Sequence, residues 1–227
     1  MSACRIVVLV SGGGTNLQAL MDAAAGGFIP GRVVAVISNV PGAYALERAR
    51  RAGIPAEVVD QRDFPSRAVF EAELLRRVEA HHPDVVALAG FMRILGSAFV
   101  TALRGRMLNI HPSLLPRFRG LHTHRRAIEA GAAEHGASVH FVTEELDGGP
   151  VILQAAVPVL PGDDERRLAA RVLDKEHIIY PLAVRWLCQG RLEMVEDGAW
   201  LDGAPLERPL RLERLPEAEW AALARRR

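Results

Sequence analysis

Three short apolar runs, RIVVLV (5–10), RVVAVIS (32–38) and DVVALAG (84–90), alternate with longer Ala-, Leu- and Glu-rich segments. No other feature of the chain constrains its fold as much. The runs are short, β-branched and without polar alternation, so they read as strands buried on both faces. Between them, TNLQALMDAAA, AYALERARRAG and SRAVFEAELLRRVEAHH carry apolar residues at helical spacing. Gly53, with Pro55 close behind, marks the stop of the second helix. Strand–helix–strand repetition implies a parallel sheet covered on both sides through right-handed crossovers. The expected class is α/β: a single Rossmann-like, mostly parallel twisted sheet flanked by helices.

RMLNI (106–110) adds a fifth strand, and RRAIEAG a short helix. GASVHFVTEELDGGPVILQAAVPV reads as two strands around a Gly-rich turn. A long helix comes next in DDERRLAARVLDKEHIIYPLAVRWLCQG, with a bend expected at Pro181. RLEMVEDGAWLDG predicts a C-terminal β-hairpin closed by Asp197-Gly198. Residues 1–203 are expected to form one domain. Residues 204–227 are Arg/Glu/Pro-rich, end in Arg225, Arg226 and Arg227, and are expected to be a solvated tail. Deleting 208–227 is accordingly expected to leave activity intact.

Charge excludes one class of partner. The chain of 227 residues has 28 Lys+Arg against 27 Asp+Glu, a formal net charge of +1. It lacks the basic excess of a nucleic-acid binder, so no nucleic-acid partner is expected. No stretch is apolar enough to span a membrane, and none has the core of a signal peptide. Cys4 and Cys188 have no CxxC spacing and read as reduced thiols of a cytoplasmic protein.

Open parallel sheets hold ligands at the carboxyl ends of their strands. The loop after the first strand, SGGGTN (11–16), is one such place. Its glycines let backbone approach a ligand, and free amides at a helix start attract an anion. The dinucleotide pattern GxGxxG fails, because Leu17 stands where its third glycine belongs and Ser38-Asn39 replace the ribose-binding acid. A terminal phosphate on a smaller ligand fits better, with Thr15 and Asn16 adding side-chain donors. The competing reading is a tight turn in which Thr15 or Asn16 merely caps the helix.

The run NIHPSLLPRFRGLHTHRR (109–126) is the stronger signal. Asn109 ends a buried strand, where an unsatisfied amide is costly. His111, two residues on, shares its face, and Pro112 and Pro116 stiffen the turn beyond it. An amide donor and an imidazole so held can stabilise an oxyanion and handle a proton. Asp147, in TEELDGGP, could set the tautomer of His111, or could be part of a simple Asp-Gly turn. Ser138 could support the network by a hydrogen bond. His122, His124, His135 and His140 invite a metal reading, and His122 and His124 have HxH spacing, but no Cys, carboxylate pair or HExxH accompanies them, so no metal is expected. Arg117, Arg119, Arg125 and Arg126 make the run locally basic, which suits an anionic substrate.

SGGGTNLQAL, DVVALAGFMRIL, NIHPSLLPRFRGLHTHRRAIEAG and SVHFVTEELDGGPVILQ, in this order and spacing, resemble the phosphoribosylglycinamide formyltransferase family across roughly residues 4–203. The resemblance implies an enzyme of purine biosynthesis. It would transfer the formyl group of 10-formyltetrahydrofolate to the amine of glycinamide ribonucleotide, as monomer or homodimer, with no metal. It further implies that Gly14, Thr15, Asn16 and Glu176 bind the ribonucleotide. Asn109, His111 and Asp147 would be catalytic, with Ser138 supporting. Arg67, Met92, Arg93, Ile94 and Leu95 would contact the folate, together with Asn109 and the loop Thr143, Glu144, Glu145, Leu146 and Asp147. Residues 1–103 would then be the mononucleotide-binding half and 104–203 the catalytic and folate-binding half.

Three alternatives share parts of this pattern. Methionyl-tRNA formyltransferase would need a further C-terminal RNA-binding domain, where only a short tail follows residue 203. Formyltetrahydrofolate hydrolase usually has an N-terminal regulatory domain, whereas this chain starts directly on its first strand. A non-catalytic nucleotide-binding module would have no need of Asn109, His111 and Asp147 together.

Overall fold

A computed structural model describes residues 3–224. Its main sheet contains Cys4–Val10 (β1), Gly31–Ser38 (β2), Ala56–Val58 (β3), Val85–Leu88 (β4), Met107–His111 (β5), Glu134–Phe141 (β6) and Val151–Pro158 (β7). Leu192–Val195 (β8), Gly198–Leu201 (β9) and Ala204–Pro205 (β10) form a small antiparallel sheet, and Leu210–Arg211 (β11) returns to the main one. The helices are Thr15–Ala25 (α1), Tyr44–Arg51 (α2), Arg67–Ala80 (α3), Ser97–Ala102 (α4), Thr123–Glu129 (α5), Glu165–Cys188 (α6) and Ala221–Ala224 (α7).

The main sheet runs β11-β7-β6-β5-β4-β1-β2-β3. From β5 to β3 all pairings are parallel, and β6 and β7 join antiparallel beyond β5. The expected class holds. Val7 to Val10, Ala35 to Ile37 and Val85 to Ala87 are almost wholly inaccessible, as strands covered on both faces require. One core lies on the α1 and α6 side, around Leu17, Tyr180 and Trp186. The other lies on the α3 and α4 side, around Phe70, Leu74 and Phe99. The chain winds outward from β1 in both directions, so the order reverses between β1 and β4. A crevice for ligands opens at such a reversal.

Several local expectations shift. AEV (56–58) forms an edge strand too short to leave a periodic signal. Helix α6 continues past Pro181 as one element of 24 residues. The hairpin turn is Glu196-Asp197, one residue earlier than expected, since Val195 pairs with Gly198.

The cysteines need a correction. Cys4 and Cys188 are not reduced thiols but form a disulfide, their Cα atoms 5.5 Å apart across a sequence separation of 184. The start of β1 lies beneath the end of α6, a proximity that no spacing rule reveals. Closing so long a loop restricts the unfolded chain, which in the chain-entropy view stabilises the fold by about 5 kcal/mol.

The solvated tail is also corrected. β11 pairs with β7 and covers the edge of the main sheet. Leu212 and Leu223 are buried, the Glu213 carboxylate accepts from Ala156 N–H at 3.0 Å, and Glu219 accepts from Trp186 Nε1 at 3.3 Å. The apolar residues of this segment are spaced too irregularly to announce an element, yet each finds a hydrophobic wall. Arg225, Arg226 and Arg227 lie outside the described residues. Deletion of 208–227 is therefore expected to cost stability. Exposing two buried leucine sites at about 1.5–3 kcal/mol each corresponds to a Tm lower by on the order of 10 °C. An unchanged melting curve by circular dichroism would contradict this packing.

Candidate active site

The first loop turns sharply because of one residue. Gly14 has φ 73° and is itself the N-cap of α1, with no side chain capping the helix. A Cβ on Gly14 would stand 2.6 Å from the Cβ of Ala45, so only glycine fits. The capping alternative for Thr15 and Asn16 is thus not what the fold uses. Thr15 faces solvent, whereas Asn16 turns inward and its Nδ2 donates to Glu176 Oε2 at 2.6 Å. Asn16 Oδ1 is buried without a hydrogen-bond partner, an acceptor free for a ligand hydroxyl or amine. Burial pushes the Glu176 carboxyl above its ordinary range, opposed by the hydrogen bond from Asn16. One turn further along α6, the Tyr180 hydroxyl reaches Leu88 O at 2.9 Å and Leu108 O at 3.1 Å. That contact docks α6 against β4 and β5 and sets the height of Glu176.

Ser11 ties this loop to the next. Its N–H donates to Gly90 O at 3.1 Å, its Oγ accepts from Met92 N–H at 2.8 Å, and the same hydroxyl donates to Asn39 Oδ1 at 2.6 Å. The two loops at the strand-order reversal are therefore held together. Arg67 braces the second from α3. Its Nη2 donates to Ile94 O at 2.9 Å, its Nε pairs with Glu71 at 2.6 Å, and Glu71 accepts from Gly96 N–H at 3.1 Å. Met92, Arg93 and Ile94 are exposed and Leu95 is buried, so the segment is anchored by Leu95 and offers the other three outward.

Asn109 and His111 lie at the end of β5, beside the β4 strand that leads into that segment. Asp147 reaches them by a detour. Strand β6 runs antiparallel to β5, so the chain leaves His111 and passes Leu108 before the loop begins. The loop then turns back at Gly148-Gly149. A Cβ on Gly149 would fall 1.9 Å from Phe141 O, so this close return needs glycine. It brings Asp147 Oδ2 to 3.4 Å from His111 Nδ1, and Gly120 N–H donates to the same oxygen at 2.8 Å. On the other side of the ring, His111 Nε2 lies 3.0 Å from Phe118 O. Both ring nitrogens of His111 thus face hydrogen-bond acceptors, Asp147 on one side and Phe118 O on the other. Asp147 does sit in a turn, at φ 49° with Gly148 N–H donating to Glu145 O at 3.1 Å, and from it the carboxylate, only 8% exposed, also pairs with His111.

A second imidazole, which sequence reasoning weighs only as a metal ligand, completes the cluster. His140 is opposite Asn109 in the β5–β6 register. Its Nδ1 is 2.8 Å from Phe141 O, a pure acceptor, so Nδ1 carries the hydrogen. Burial holds the His140 pKa well below the ordinary value, so the ring is neutral and Nε2 is an acceptor. Asn109 Nδ2, 3.1 Å away, therefore donates to it. This fixes the amide: one N–H is spent on His140, and the other remains for the cleft. His140 Nε2 is also 3.7 Å from Asp147 Oδ1. The one sequence signal for this residue is its alternation with Ser138 on the same strand face.

Other candidates fall elsewhere. The Ser138 hydroxyl donates to Ser113 O at 2.6 Å and accepts from Leu115 N–H and Gln154 Nε2, so it supports the turn after His111 rather than the imidazole. Glu144, Glu145 and Leu146 are exposed and Thr143 half-buried. Arg119 pairs with Glu145, Arg125 with Glu165 at 3.4 Å, and Arg126 donates to Arg119 O at 2.6 Å. His122 caps α5, while His124 packs against His135, with Nδ1 and Nε2 3.1 Å apart. Among the described residues no group of three or more His, Cys, Asp or Glu could hold a metal ion.

Burial, with the neighbouring His124 second, lowers the His135 pKa to about 4. In the unfolded chain it would be near 6.5. The unfolded state thus takes up a proton first, so the stabilisation is complete above about 6.5 and is lost as pH falls towards about 4. Thermal melts are expected to fall over this window, and His135→Gln should flatten that part of the decline. An identical decline in the variant would remove His135 as its cause.

Residues 4–184 match the family model described as formyl transferase. The chain is 55% identical to a phosphoribosylglycinamide formyltransferase of Escherichia coli, over 96% of this chain and 99% of that protein. It is 45% identical to that of Haemophilus influenzae, over 89% and 95%. A solved phosphoribosylglycinamide formyltransferase structure from Coxiella burnetii superposes with a TM-score of 0.89 at 47% identity, covering 92% of this chain and 99% of that one.

Proposed function

The chain belongs to the formyl transferase family, and from this we infer that it transfers a formyl group from 10-formyltetrahydrofolate to the amine of glycinamide ribonucleotide. The products are formylglycinamide ribonucleotide and tetrahydrofolate, a step of purine biosynthesis. The donor is a cosubstrate that binds and leaves in each turnover. The observation that carries the site assignment is the meeting of Asn109, His111 and Asp147 around one point at the end of β5.

Residues 1–103 supply the ribonucleotide loop and part of the folate surface, and 104–203 supply the chemistry, Glu176 and the folate loop after β6. The phosphate sits on the amides of Gly14, Thr15 and Asn16, where the helix start attracts negative charge. Asn16 Oδ1 and Glu176 accept from the ribonucleotide's hydroxyl or amine groups. The folate lies along Met92, Arg93, Ile94 and Leu95, which Arg67 holds in place, and against Thr143 to Asp147.

The ribonucleotide amine attacks the formyl carbon, a C–N bond forms, and the formyl oxygen becomes an oxyanion. The free N–H of Asn109 stabilises that oxygen, and His111 Nε2 adds a second donor on exchanging its contact with Phe118 O for it. Asp147 balances the imidazolium. Collapse of the intermediate breaks the bond to the folate nitrogen, and the proton lost by the attacking amine is delivered to that nitrogen, with His111 and Asp147 as carriers. Both substrates are ionised small molecules of the cytoplasm, and the enzyme works there with them.

A spectrophotometric assay with 10-formylated folate, with and without glycinamide ribonucleotide, tests this. Folate consumption should depend on the ribonucleotide. Consumption without it would indicate hydrolysis, and none at all would leave only binding. Thr15→Ala is expected to raise KM for the ribonucleotide more than KM for the folate; equal increases would refute the assigned phosphate loop.

A further inference from the structure

The glycine loop is braced from behind by α2. Ala45 N–H donates to Gly12 O at 3.0 Å, and Arg48 Nε donates to Gly13 O at 2.8 Å. Arg48 Nη1 also reaches Gln18 Oε1 on α1 at 3.1 Å, and its guanidinium carbon lies 5.0 Å from the centre of the Tyr44 ring. One side chain thus clamps the loop, the helix that follows it and the helix beneath.

In a planar trans peptide the C=O and N–H point in opposite directions. With the carbonyls of Gly12 and Gly13 turned towards α2, the N–H groups of Gly13 and Gly14 point away from it, towards the start of α1. A run of three glycines has the largest backbone freedom a chain can have, so such an orientation does not persist without an external hold. We propose that Arg48 is a positioning residue for the ribonucleotide phosphate: it fixes the Gly13–Gly14 peptide so that its N–H faces the anion, and it sets a permanent positive charge behind the loop. This role rests on reading Ser11 to Asn16 as the phosphate loop. Lysine cannot replace it fully, because a point ammonium cannot bridge Gly13 O and Gln18 Oε1 as a planar fork does.

Steady-state kinetics of Arg48→Met and Arg48→Lys test this, with ribose 5-phosphate as a competitive probe. Arg48→Met is expected to raise KM for glycinamide ribonucleotide roughly tenfold, the usual loss for a charged hydrogen bond. Inhibition by ribose 5-phosphate should weaken by a similar factor, while kcat at saturation and KM for the folate stay at wild-type values. Arg48→Lys should fall between. An unchanged ribonucleotide KM, or kcat and both KM values moving together, would overturn the proposal. If Arg48→Met does not fold, Gln18→Leu, which removes the second contact together with the exposed Gln18–Asp22 hydrogen bond, should give the same split at smaller size, and no change there overturns it equally. Failure of ribose 5-phosphate to compete on the wild-type enzyme would instead overturn the phosphate-loop reading.

Discussion

Asn109→Ala is expected to lower kcat by about 10²–10³-fold, the loss typical of one oxyanion donor, while ribonucleotide binding stays nearly unchanged. The size of the effect comes from how the amide is held. Phe141 O takes the hydrogen of His140 Nδ1, which leaves Nε2 as a lone pair and Asn109 Nδ2 as its donor. The second N–H of the same amide is then aimed without further cost of ordering. A donor fixed in advance stabilises developing charge far better than one that must reorient. Alanine removes it and strands the His140 lone pair, but touches neither Gly14 nor Glu176. Formyl-transfer rates together with calorimetric titration of the ribonucleotide check both halves. Near-native turnover would end the oxyanion role of Asn109.

Asp147→Asn is expected to reduce kcat by about 10²–10⁴-fold, the range for a disabled acid–base pair, with little change in melting temperature. Asparagine is the informative replacement because Asp147 has φ 49°. Asn tolerates left-handed backbone nearly as well as Asp, whereas Ala would add strain. Its Oδ1 can still accept from Gly120 N–H, so the loop keeps its anchor. The loss is the negative charge 3.4 Å from His111 Nδ1. An imidazolium formed during proton transfer would then be uncompensated in a buried site. A variant with native kcat would show that His111 needs no counter-charge. A variant with a collapsed melting temperature would make Asp147 a structural residue.

The residues differ in how far they announce themselves. The strands β1, β2, β4 and β5 and the helices between them are legible in the sequence because periodicity is a local property, and both faces of those strands are buried. The glycine loop and the Asn-x-His-Pro run are legible for the same reason: a few neighbouring residues specify the turn, the shared face and the rigidity. The family resemblance supplies roles for them. Asp147 can be paired with His111 by resemblance, but its position depends on a loop that leaves the strand in one direction and returns in the other. His140 gains its function only from the cross-strand register that sets it opposite Asn109. Arg48 bonds to Gly13 across 35 residues, Asn16 to Glu176 across 160, and Cys4 to Cys188 across 184. The last segment reads as tail because its apolar residues have no period, although β7 and the core give each a place. Sequence by itself determined the elements, their alternation and the chemistry available at two loops. Tertiary structure alone decided which distant side chains meet, because such contacts are set by how elements pack and not by the residues next to them in the chain.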